Sequence, residues 1–133
     1  MAIITAIPEN RPLTGAELAL VRWLLQHGER GASDFLVQLD DARVVSRCSC
    51  GCASIDFAIN NVVPPPGAGV GILADYEWRG AEGELYGVFV FEREGLLAGL
   101  ELWSQDGLGQ ASYLPDIEKL RLVGTSEADG SPV

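Results

Sequence analysis

All three cysteines of the chain fall within five residues, in the stretch RCSCGCAS at 47–54. Thiols at Cys48, Cys50 and Cys52 could hold a soft cation, close a disulfide or act as nucleophiles. A structural zinc site needs four ligands, as a rule in paired C-x₂₋₄-C spacing. The chain offers no second cysteine cluster and a single histidine, His27, which is expected in the last turn of a helix, where a cation complements the dipole. A disulfide between residues two apart on one strand is disfavoured, because their Cβ atoms stand beyond the roughly 4 Å a bridge needs.

The alternating spacing has a second explanation. With Gly51 and Cys52 as the central pair of a two-residue turn, Cys50 faces Ala53, Cys48 faces Ile55, Arg47 faces Asp56, Ser46 faces Phe57 and Val44 faces Ile59. Val44, Cys48, Cys50, Ile55, Phe57 and Ile59 then share one apolar face, and Arg47 meets Asp56 on the other. This register makes Cys48 and Cys50 core residues turned towards the helices and leaves Cys52 alone exposed. Neither a metal nor a cofactor is expected on that reading. A metal- or thiol-dependent function of Cys48, Cys50 and Cys52 is the alternative.

A second set of reactive groups lies in DYEW at 75–78 and LELWSQDG at 100–107. Period-two alternation places Asp75 and Glu77 on one face of a strand, and Tyr76 with Trp78 on the other. Asp75, Glu77, Trp78, Glu101, Trp103 and Asp106 form the expected partner-binding set, since aromatics bordered by charge suit an interface. Paired carboxylates also serve as acid and base in glycoside hydrolysis, so a small hydrolase is a further alternative. The Ser-His and Cys-His arrangements would all have to use His27, with no nucleophile elbow to support them. The GAGVG at 67–71 lacks the G-x-G-x-x-G spacing of a phosphate loop.

Nine Lys+Arg against nineteen Asp+Glu give a formal charge of −10. Such a surface repels phosphate backbones and acidic lipid, which argues against nucleic acid and membrane as partners and favours a basic protein. At 133 residues the chain is expected to form one domain over 1–124 with a flexible tail at 125–133. MAIITAIPENRP has no basic region before an apolar stretch, and three cysteines are no secreted disulfide framework, so a cytoplasmic location is expected.

The elements that must position these groups follow from periodicity. LTGAEL carries a capping box at Thr14 and Glu17 and a hydrophobic staple of Leu13 with Leu18. The helix it starts has Val21, Leu24 and Leu25 on one stripe, with Gly28 at the usual place of a C-cap. A shorter helix capped near Ser33 turns Phe35, Leu36 and Leu39 inward. Five strand-like segments follow, ARVVSRCSC, ASIDFAI, VGILADYEW, ELYGVFVFER and GLLAGLELW, and LPDIEKL adds a short helix. The hairpin between the last two strands admits two registers: a bulged loop over residues 93–95 sets Gly87 opposite Glu101, and a two-residue Glu94-Gly95 turn sets Val88 there. The expected fold is α+β: two N-terminal helices on one face of a roughly five-stranded, mostly antiparallel meander sheet. Unmanaged sheet edges leave room for a homo-oligomer.

RPLTGAELALVRWLL, RCSCGCASIDF and LLAGLELWSQDG followed by LP, over about residues 11–122, together resemble small uncharacterised bacterial domains of unknown function. These are similar in layout to some toxin-immunity proteins. The resemblance implies a non-enzymatic binding protein whose acidic surface meets a basic partner, and it carries no functional residues with it.

Overall fold

The capping box forms as the sequence spells it. Thr14 accepts the Glu17 amide on its hydroxyl at 3.1 Å, and Glu17 accepts the Thr14 amide at 2.9 Å. Helix α1 runs Gly15–Gln26 and buries Leu20, Val21, Leu24 and Leu25. Its cap is His27, whose ring stacks on Trp23 at a centroid distance of 4.2 Å. Gly28 follows instead at a close approach to the Leu73 carbonyl, which a Cβ would strike. The second helical segment, Ala32–Asp41, is 3₁₀ and starts from a left-handed Gly31 with no side-chain cap at Ser33. Ala32 and Leu39 are its buried apolar residues, and Phe35 and Leu36 are half-buried against the core.

The computed structural model describes residues 6–65 and 69–123. The expected tail at 125–133 and part of the glycine-rich GAGVG lie outside the described residues.

The sheet has seven strands rather than five: β1 Ala6–Pro12, β2 Ala42–Cys48, β3 Ile55–Ile59, β4 Gly71–Arg79, β5 Leu85–Arg93, β6 Leu96–Ser104 and β7 Arg121–Leu122. Every pairing is antiparallel. The order β1-β2-β3-β6-β5-β4-β7 is two three-stranded meanders joined where β3 meets β6, with β7 added on the outer edge, and so not one meander. Nor are the helical segments all N-terminal, since a 3₁₀ turn, Ile117–Lys119, follows the last hairpin. The α+β class with an antiparallel sheet stands.

β1 carries two prolines, which an edge strand tolerates because one side of it needs no ladder donors. Its Arg11 donates both terminal nitrogens to the buried Glu17 at 2.9 and 3.0 Å, which ties the edge to the start of α1. Burial pushes the Glu17 carboxyl up, but the bonds from Arg11 and Thr14 outweigh it and hold the group below its usual range.

The core lies between α1, the Ala32–Asp41 segment and one face of the sheet. Val44, Phe57, Tyr76, Trp78, Tyr86, Val88, Val90, Leu100 and Leu102 supply the sheet side. Each large apolar side chain buried there contributes about 1.5–3 kcal/mol of transfer free energy. Tyr76 crosses the layer to donate its hydroxyl to the His27 carbonyl at 2.6 Å.

Candidate functional site

The cysteine hairpin does not take the register that alternation predicts. Arg47 lies opposite Ile55 and Ser46 opposite Asp56, and a bulge between Val44 and Ser46 then sets Val44 opposite Phe57. A one-residue slip moves side chains to the other face. The two-residue turn opens accordingly into a loop over 49–54, closed by the Cys48 amide donating to the Ser54 carbonyl at 3.3 Å. Cys48 is therefore half-buried, Cys50 exposed and Cys52 half-buried, so Cys48 and Cys50 are not the core residues expected.

At the end of β2 and in the loop beyond it, the three thiols meet. Cys48 Sγ and Cys50 Sγ are 2.8 Å apart, Cys50 Sγ and Cys52 Sγ 2.9 Å, and all three lie within 4.8 Å of one another. With those separations the sulfurs form a bent triangle, with Cys50 Sγ between the other two, rather than a line. The Cys50 amide donates to Cys48 Sγ at 3.4 Å and the Cys52 amide to Cys50 Sγ at 3.3 Å. Two backbone N–H groups thus point at the sulfurs.

The loop is held from outside. The buried Ser54 accepts the Leu102 amide at 2.8 Å and donates to the Leu102 carbonyl at 3.1 Å, which locks the end of the loop to β6. The Ala53 amide donates to the Ala111 carbonyl at 2.8 Å, and the Gln110 amide group donates to the Cys50 carbonyl. Gly51 adopts φ +95°, a left-handed conformation that L side chains rarely adopt, and a Cβ there would meet Gln110 Nε2 at 2.9 Å. Beside Cys48 lies a recess of about 310 Å³ lined by Ala6, Arg47, Ser54, Ile55, Asp56 and Glu101. Burial pushes the Glu101 carboxyl up, the Ser54 hydroxyl pulls it back, and the charge of Asp56 raises it further.

The acidic and aromatic set divides. Register brings Asp75, Phe89 and Glu101 into one cross-strand row and Glu77, Gly87 and Trp103 into the next, so five of these side chains share the sheet face opposite α1. The indole of Trp103 lies across Gly87, where a Cβ would meet its Nε1 at 2.5 Å, and the residue is 43 % exposed. Trp78 is on the other face at 2 % exposure, stacked on Tyr86 at 5.1 Å, and offers nothing to a partner. Asp106 caps a turn, accepting the Leu85 and Leu108 amides at 2.9 and 3.0 Å. Glu77 is bound to Arg121 at 3.2 Å. Asp75 is raised by burial and by the charges of Glu77 and Glu29.

Of the two expected registers of the last hairpin, the one with a two-residue turn holds at the tip, but neither partner expected for Glu101 is found. Glu94 and Gly95 form a two-residue turn with Arg93 opposite Leu96, and an irregularity between Phe91 and Glu92 then brings Phe89 opposite Glu101. Phe89 therefore lies between Asp75 and Glu101 in their cross-strand row.

Compared with protein-family models, curated proteins and solved structures, the chain matches none of them.

Proposed function

We propose that the chain is a binding module for a thiophilic ion, held by Cys48, Cys50 and Cys52 together. The observation that carries this is the triangle of three Sγ atoms on a loop pinned at Ser54, Ala53 and Cys50. An all-sulfur donor set selects soft ions. Among the described residues, no histidine or carboxylate joins the group, so an iron–sulfur cluster or closed structural zinc, each needing four ligands, is disfavoured. A reducing compartment such as a bacterial cytoplasm suits three free thiols. Equilibrium dialysis of the reduced chain against Cd(II), with a triple Cys→Ser variant alongside, tests the reading. One equivalent bound by the native chain and none by the variant is expected, and equal binding by both sinks it.

A second reading keeps the open sheet face as the contact for a basic protein partner. It is favoured by Trp103 lying flat and exposed between Glu77 and Glu101, and by an Asp75 carboxylate with no ion pair among the described residues. Trp78 and Asp106 drop out of that surface. Co-purification from the native host at low and high salt tests it, with retention only at low salt expected.

A further inference from the structure

Resting on the ion-binding reading, we infer that the ion this site fits best is trivalent arsenic, taken up as arsenite. Two features of the loop point there. The donor set stops at three sulfurs, and trivalent arsenic completes its coordination with three, keeping a lone pair where a tetrahedral ion needs a fourth ligand.

The second feature is charge. The groups facing Cys48 across the recess are Arg47 on β2, Asp56 on β3 and Glu101 on β6, and Arg47 is already bound to Glu9 of β1 at 2.7 Å. Three thiolates around a monovalent or divalent cation would add net negative charge to this acidic neighbourhood. Arsenite avoids that. One As(OH)₃ reacts with three thiols, three As–O bonds break, three As–S bonds form, and the three thiol protons leave with the hydroxides as three waters. No electron is transferred, no net charge is left on the site, and no proton is released. Cys50, the exposed corner of the triangle, gives the incoming arsenite its first sulfur.

The absence of net proton release separates arsenite from metal cations. Cadmium, zinc and copper(I) displace thiol protons, so their affinities climb with pH. The experiment is intact-mass and equilibrium titration of the reduced chain with arsenite, and separately with Zn(II) and Cu(I), between about pH 5.5 and 7, where an ordinary thiol is protonated. One arsenic replacing three hydrogens is expected, with affinity constant within about threefold across that range and lowered at least about 100-fold in each of Cys48→Ser, Cys50→Ser and Cys52→Ser. The inference is overturned by an adduct that replaces only two hydrogens, by a Cys52→Ser variant that binds as tightly as the native chain, or by equimolar Zn(II) displacing the arsenic. Displacement by Zn(II) would leave the ion-binding function standing. Binding of neither arsenite nor any of the cations would overturn both. Circular dichroism of each variant shows that a lost adduct is not a lost fold.

Discussion

Two hairpin tips in the same sheet solve the same problem in opposite ways. At the β5–β6 tip, Glu94 at φ 53° and Gly95 at φ 84° make a two-residue turn of the I′ kind, whose twist matches the strands it joins. Arg93 stays paired with Leu96, and Glu92 accepts the Gly95 amide at 2.9 Å. At the β2–β3 tip the ladder stops at Cys48 and Ser54, and the next amides turn onto sulfur. That loop relies on Ala111, Gln110 and Leu102 from distant parts of the chain. A tight turn is shaped by two backbone conformations. A loop whose amides point at its own side chains is shaped around those side chains.

Substitutions at the two tips should break this contrast in graded ways. Cys50→Ser has the largest expected effect on binding, a loss of soft-ion affinity of about 100-fold or more, with unfolding free energy changed by less than about 0.5 kcal/mol because the residue is exposed. Cd(II) dialysis and urea melts read the two quantities separately. Ser54→Ala leaves the buried Leu102 amide without its hydroxyl partner, so a loss of about 1–3 kcal/mol is expected in urea unfolding, together with weaker ion binding. Gly51→Ala and Gly95→Ala both place a Cβ in left-handed backbone, at about 1–2 kcal/mol each. Only the first should also weaken ion binding, since its Cβ displaces Gln110. Equal effects of the two on binding would erase the distinction between the tips.

The smallest effect is electrostatic. Glu101, on the wall beside Cys48, has a carboxyl raised above its ordinary value by burial and by Asp56, against the pull of Ser54. A raised folded-state value means that the native chain takes up this proton before the unfolded chain does as pH falls. The stabilisation is complete below the unfolded value and disappears as pH rises through the folded one. Glu101→Gln should therefore raise stability at pH 7 relative to the native chain by up to about 1 kcal/mol, with the gap narrowing towards pH 4. Urea melts at both pH values measure the difference, and a gap that widens on acidification contradicts the assignment.

Legibility in the sequence tracked the range of the interaction. The capping box needs only Thr14 and Glu17 three residues apart, and it reads directly. β1 escaped detection because Pro8 and Pro12 look like strand breakers, and only its place at the sheet edge makes them acceptable. β7 is two residues long, too short for any period. The faces of Asp75 and Glu77 follow from alternation alone, whereas the partners of Glu101 depend on one irregularity near Phe91 that no local pattern announces. At the cysteines, a bulge between Val44 and Ser46 changed the register, which left Cys48 half-buried and Cys50 exposed in the loop instead of in the core. The signal available for that site was the one least decisive by itself: three thiols in five residues with no other cysteine to pair with.

The central claim is that three sulfurs act as one site, and alkylation protection measures this directly. The reduced chain is mixed with one equivalent of Cd(II), treated with a thiol-alkylating reagent and weighed intact by mass spectrometry. A single site built from Cys48, Cys50 and Cys52 predicts two populations only, with three alkyl groups or none, and the unmodified one dominant. A dominant species alkylated once, or labelling indifferent to Cd(II), would show that the three thiols do not share one ion.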